Sequence, residues 1–222
     1  LFFMAVVAVF VREKWRYKHI AVRMLSLWSR PTLWCLGIKS RAEGLENLKD
    51  SAQALLVGNH LSYTDVLVIA SNAPSCFVTS TEVRDAPGLG LICRMAGCLF
   101  VNRKNRRNLS NEVSELQEGL QKGLKVTIFP EATSTNGEQI LRFRKPLYYS
   151  ATRSSAPVVP FVLNYRKVND EPISLKTRDS VFWYGDMDFI PHLLRLVSSG
   201  GVEVDIQFLP PLQVTPESDA GQ

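Results

Sequence analysis

The chain is poor in the residues that build most metal and disulfide sites, with three histidines and four cysteines in 222 residues. Cys35, Cys76, Cys93 and Cys98 have apolar neighbours and form no Cys-x-x-Cys pair, so they read as buried free thiols of a reducing compartment. His19 and His192 stand at no ligand spacing from any cysteine, which argues against zinc. No metal site and no redox cofactor is implied. The Gly-x-Ser-x-Gly elbow is missing, which counts against a serine esterase. No internal repeat and no low-complexity linker occurs. Basic residues are not interleaved with aromatics as in nucleic-acid modules, so no nucleic-acid partner is expected. Also lacking is an apolar run of the roughly 20 residues that cross a bilayer.

What is present is a chain 45% hydrophobic and 21% charged, a globular composition at a length suited to one α/β domain. Residues 1–50 hold nine Lys/Arg against four Asp/Glu, which accounts for the whole net charge of +5. Three of the four tryptophans fall in the same stretch. Basic side chains attract anionic headgroups and Trp favours the interface. Residues 1–36 therefore read as an amphipathic attachment lying on the cytoplasmic face of a membrane with anionic lipids. Leu1 to Val11 is apolar but short, and is also compatible with the end of a spanning helix. It is not read as an intact signal peptide, because no basic region precedes it. His19 reads as interfacial and His192, after Pro191, as a helix-start residue.

Apolar runs and turn residues predict strands at 38–43, 54–57, 76–79, 98–101, 125–129, 158–163 and 202–208. Helices are predicted at about 15–28, 64–71, 90–95, 108–123, 146–152 and 191–197. Leu109, Val113, Leu116 and Leu120 keep a helical stripe, with Asn108 as a cap and Gly123 as a stop. The fold class expected is α/β, a single-domain mixed sheet flanked by helices, preceded by the amphipathic attachment segment. The domain runs over residues 37–212, and residues 213–222 read as a loose tail.

Asn59-His60-Leu61-Ser62-Tyr63-Thr64-Asp65 carries the chemistry. A carboxylate on one imidazole nitrogen sets the tautomer and leaves the other nitrogen to take a proton. Five residues of ideal helix turn the chain by about 140°, so the pair would miss on a regular helix. They meet if His60 sits in the turn after a strand and Asp65 in the first turn of the next helix. A capped helix start beside a structural histidine would give the same letters.

Further along come Gly97-Cys98-Leu99-Phe100-Val101-Asn102-Arg103, Phe129-Pro130-Glu131-Ala132-Thr133 and Val158-Val159-Pro160-Phe161. With the His60–Asp65 block, in this order, they resemble the glycerophospholipid acyltransferase superfamily, typified by the 1-acylglycerol-3-phosphate O-acyltransferases. The resemblance implies that His60 and Asp65 are catalytic, and that Arg103, Glu131, Thr133, Asn59 and Asn102 bind substrate. From chemistry alone Glu131 equally holds its own loop, while Lys104, Arg106 and Arg107 read as a solvated basic loop. The acceptor implied is a lysophospholipid, first of all 1-acylglycerol-3-phosphate. The donor implied is acyl-CoA or acyl carrier protein (acyl-ACP), as co-substrate with no bound cofactor. Ala132, Ser134 and Ser80 stand where the family usually has Gly, Arg and often Lys. Two missing cations bring a different acceptor into view, such as a lyso-ornithine lipid or lysophosphatidylethanolamine. A non-catalytic, membrane-docked lipid-binding protein is the third reading.

Overall fold

The computed structural model describes residues 11–49, 52–102, 109–143 and 148–214. Helix α1 (Lys14–Cys35) comes first, its N-terminus capped by Glu13, whose carboxylate accepts from Trp15 N and Arg16 N. It continues through Pro31, past the expected end at Trp28. Its inward residues Trp15, Lys18, Val22, Ser29 and Leu33 keep one buried face, while Pro31 is exposed.

Strands β1 (Ile38–Glu43), β2 (Ala54–Gly58), β3 (Cys76–Ser80), β4 (Leu99–Val101), β5 (Lys125–Ile128), β6 (Val158–Val168), β7 (Glu171–Pro172) and β8 (Val202–Phe208) follow. Between them lie α2 (Thr64–Asn72), α3 (Thr81–Asp85), α4 (Leu89–Met95), α5 (Leu109–Gln121), α6 (Tyr149–Ser154) and α7 (Phe189–Val197). The sheet order is β1-β8-β6-β2-β5-β3-β4, with β7 beside β6. Neighbours are parallel except β6–β8 and β6–β7, so the sheet is mixed as expected.

Alternation along β2 divides the core into two layers. Ala54 and Leu56 pack with Val68, Ile69, Val159 and Ile206, while Leu55 and Val57 pack with Leu116, Leu120, Val126 and Ile128. Successive strand side chains point to opposite faces, so both faces of the sheet are covered. The predicted stripe on α5 holds at Val113, Leu116 and Leu120, which are buried. The expected cap Asn108 and the side chain of Leu109 lie outside the described residues, as does the expected start of α6 at Pro146.

Three expectations change. Trp15 is not interfacial: it is 5% exposed, and its indole N–H donates to Glu118 Oε1. His19 holds α1 to the end of α5, its Nε2 2.9 Å from the Lys122 carbonyl. Of the cysteines, Cys76 and Cys98 are buried but Cys35 is exposed, and all four are free. Two short elements, α3 and β7, were not expected. Leu212 pairs with Val158 through two backbone hydrogen bonds, and residues 215–222 of the expected tail lie outside the described residues. No helix of the described residues is long and apolar enough to cross a membrane.

Candidate active site

Parallel strands β2, β5, β3 and β4 send their carboxyl ends to one edge of the sheet, where reactive groups of α/β folds collect. Gly58 ends β2 against Phe161 of β6, and a Cβ on it would lie 2.4 Å from the Phe161 ring and carbonyl. Only glycine allows this approach. The chain then leaves the sheet as an extended turn, and α2 starts at Thr64.

Within that turn His60 Nδ1 lies 2.8 Å from Asp65 Oδ2. The same oxygen accepts from Leu61 N at 2.7 Å and Ser62 N at 2.9 Å. The other oxygen, Oδ1, accepts from the Tyr165 hydroxyl at 2.6 Å. Asp65 is fully buried, so this charge has exchanged water for four donors, as a buried carboxylate must. An acceptor-only carboxylate fixes Nδ1 of His60 as the donor, which leaves the Nε2 lone pair free. No hydrogen bond is made to Nε2 by the described residues, and the His60 side chain is 19% exposed. The imidazole stacks on Phe129 with ring centroids 3.9 Å apart. A base with one nitrogen clamped, one nitrogen open and its ring face held is the arrangement that proton abstraction needs.

Tyr165 is the residue that sequence reasoning missed. It lies in the part of β6 beyond the expected end at Leu163, and it is buried. Burial and the adjacent Asp65 charge push its phenol well above the usual range, so it stays protonated and donates. Its oxygen also meets Thr64 Oγ1 at 2.7 Å.

The expected substrate-binding residues divide. Asn59 caps the β2–β6 pairing: its amide donates to the Leu163 carbonyl and accepts from Leu163 N, at 2.9 and 2.8 Å. Glu131 is buried and its Oε2 accepts from Leu141 N at 2.9 Å, so it does hold its own loop. Both line an 880 Å³ cavity together with Leu61. Thr133 is exposed and donates to the Ser134 carbonyl at 3.3 Å. Asn102 lines a different groove, with Thr81, Arg84 and Glu112, at the end of edge strand β4. Three strand spacings separate β4 from β2 in the sheet order, about 14 Å at ordinary strand separation. Arg103 lies outside the described residues.

The two positions lacking the usual cations are committed to internal bonds. Ser80 caps α3 by accepting from Val83 N at 3.3 Å. Ser134 Oγ donates to the Trp183 carbonyl.

A family model for Acyltransferase matches residues 39–164, more than half of the chain. The chain belongs to that family. The matched span includes every candidate residue from Asn59 to Glu131 and Thr133, and it ends one residue before Tyr165. Among relatives, the lyso-ornithine lipid O-acyltransferase of Rhizobium meliloti is 31% identical over 82% of this chain and 64% of its own. The 1-acyl-sn-glycerol-3-phosphate acyltransferase of Neisseria gonorrhoeae is 32% identical over 70% of this chain and 58% of its own. The chain thus spans less than two thirds of the length of either relative. A crystal structure of the 1-acyl-sn-glycerophosphate acyltransferase of Thermotoga maritima superposes with a TM-score of 0.65 at 20% identity. It covers 98% of this chain and 78% of that one, and shows that the two share a fold.

Ala132, where the family usually has glycine, adopts a left-handed backbone with φ 62°. That region costs an L-residue about 1–2 kcal/mol, of which glycine's greater unfolded freedom returns roughly half. Ala132→Gly is therefore expected to raise the melting temperature by about 1–4 °C, read by differential scanning calorimetry. An unchanged or lower value would show that the turn carries no strain.

Proposed function

We propose that this chain transfers an acyl group to a free hydroxyl of a lysolipid at a membrane surface, in phospholipid synthesis. His60 Nε2 takes the hydroxyl proton as the oxygen attacks the thioester carbonyl of acyl-CoA or acyl-ACP. The C–S bond breaks, the thiolate leaves with a proton, and an ester remains. Asp65 holds the imidazole and stabilises its cation while the proton resides there. The observation that carries this reading is the clamped Nδ1 of an imidazole that is still 19% exposed and whose Nε2 is bonded by none of the described residues.

The first acceptor reading is 1-acylglycerol-3-phosphate, as the motif blocks imply. A second reading, an amino-acid lysolipid, is favoured by Ser80 and Ser134 being spent on internal bonds. Incubation of the protein with radiolabelled acyl-CoA or acyl-ACP and a panel of lysolipids tests both. Labelled diacyl product is expected from at least one acceptor. Folded protein that binds lysolipid yet acylates none would favour the non-catalytic alternative.

Membrane contact belongs to this proposal. Leu27, Trp28 and Trp34 of α1 are 66%, 61% and 79% exposed, beside exposed Arg23 and Arg30. On α7, Ile190, Leu194 and Val197 form an exposed stripe at helical spacing. Trp34 and Val197 line one groove, which joins the two apolar surfaces. Removing residues 1–36 would strip Trp15 and Leu33 from the core, so point substitutions are the cleaner probe. A Trp28→Glu/Trp34→Glu protein is expected to sediment with anionic liposomes at least tenfold more weakly at unchanged melting temperature. Each buried Trp contributes roughly 1.5–3 kcal/mol to such partitioning. Wild-type sedimentation by the double variant would place the contact elsewhere.

A further inference from the structure

The cavity that Asn59, Leu61 and Glu131 share with the catalytic turn has about 880 Å³, within the usual range of small-molecule sites. We propose that it receives a zwitterionic acceptor headgroup, whose anionic group is held by Arg178. This inference rests on the acyl-transfer reading and names its substrate class.

Charge argues first. The described walls present two cations, Arg166 and Arg178, and two carboxylates, Glu131 and Glu138. Arg166 is further neutralised by Asp205, 2.9 Å from its Nη1. A phosphomonoester carries about −1.5 to −2 charges and would face two carboxylates without a surplus of cations. A headgroup with one anion and one cation matches walls of balanced charge.

Arg178 then stands out. Its side chain is only 16% exposed, and its Nη1 donates to Glu138 Oε1 at 2.8 Å. Among the described residues its buried Nε has no hydrogen-bond partner, and Asp179 Oδ1 lies 3.6 Å away. A guanidinium offers five donors in a planar fork that suits carboxylate or phosphate. Glu138, more than half exposed, already seats a carboxylate on that fork. An incoming anion would take its place and leave Glu138 to meet the headgroup's cation.

Position completes the argument. Trp183 N donates to the Leu61 carbonyl at 2.9 Å, and Thr135 N to the His60 carbonyl at 3.0 Å. Ser134 Oγ donates to the Trp183 carbonyl. The segment that carries Arg178 is thereby tied to the backbone of the catalytic turn, whose Asn59 and Leu61 line the cavity on either side of His60 in sequence. A headgroup on Arg178 would therefore be fixed relative to the turn that carries the base.

Calorimetric titration without acyl donor tests this on wild type, Arg178→Ala, Arg178→Lys and Glu138→Gln. The probes are detergent-dispersed lyso-ornithine lipid, lysophosphatidylethanolamine, 1-acylglycerol-3-phosphate and monoacylglycerol of one chain length. The first two separate a carboxylate from a phosphodiester as the recognised anion. Wild type is expected to bind a zwitterion more tightly than the phosphomonoester. Arg178→Ala is expected to weaken zwitterion binding roughly 10- to 100-fold and monoacylglycerol less than threefold, with partial rescue by Lys. Equal losses on all four lipids, or a wild-type preference for the phosphomonoester, would overturn the proposal. So would a Glu138→Gln protein as damaged as Arg178→Ala, since Arg178 would then serve only to pin the loop. A lysolipid that binds with the expected pattern yet is never acylated leaves this site standing and removes the acyl-transfer reading alone.

Discussion

His60→Ala protein is expected to fold as the wild type does and to lose acyl transfer by about 10²- to 10⁴-fold. The fold should survive because the His60 side chain contributes little that other groups do not. Asp65 keeps three of its four donors, from Leu61 N, Ser62 N and Tyr165 Oη. The strand-to-helix turn stays tied by the bonds that Thr135 N and Trp183 N make to its carbonyls. What is lost is the open Nε2 and the ring stacked on Phe129. A hydroxyl is a poor nucleophile until its proton has somewhere to go, and Asp65, fully buried, cannot take over as the base. Lysolipid binding in the absence of donor should be nearly unchanged, which separates a chemical defect from a binding defect. Retention of more than about a tenth of wild-type turnover by the folded variant would be incompatible with His60 as the base.

Much of the scaffold was readable because periodicity reports burial. All seven strands expected between Ile38 and Phe208 are present, though β6 runs past its expected end and β7 is additional, and both core layers follow from alternation in β2. The His60–Asp65 turn was readable because helical geometry forbids the pair on a continuous helix. The misreadings share a cause. Trp15 looked interfacial because composition near a basic segment does not reveal which face of a helix packs inward. Tyr165 was missed because polar Asn164, Arg166 and Lys167 disguise the outer half of β6, where the pattern alternates buried and exposed. A tyrosine on the buried phase of a strand signals a polar partner for its hydroxyl, and that signal was present. Arg178 had none: it reaches the cavity through a long-range knit of loop bonds that no local spacing encodes. For Glu131, chemistry allowed either a substrate contact or a hold on its own loop; the bond from Leu141 N shows the second, in the wall of the cavity.

Asp65→Asn is the second large loss, and the geometry gives it a particular character. In many histidine–carboxylate pairs the amide damages activity by turning the imidazole to the wrong tautomer. Here three donors converge on Oδ2, so the asparagine carbonyl is held at that position and Nδ1 keeps its acceptor. The new amide NH₂ then faces Tyr165, whose hydroxyl can turn to Thr64 Oγ1 and accept from it. Hydrogen bonding is preserved and only the negative charge goes. The imidazolium formed during transfer loses its stabilising partner in a buried setting, where such charges act strongly. Turnover is expected to fall about 10²-fold or more, with melting temperature and lysolipid binding nearly unchanged. Tyr165→Phe makes the complementary change: it removes one of the carboxylate's four donors and leaves the charge in place. The smaller perturbation should cost only about tenfold in turnover. A loss in Asp65→Asn no larger than that in Tyr165→Phe would show that the negative charge contributes little and that Asp65 acts by hydrogen bonding alone.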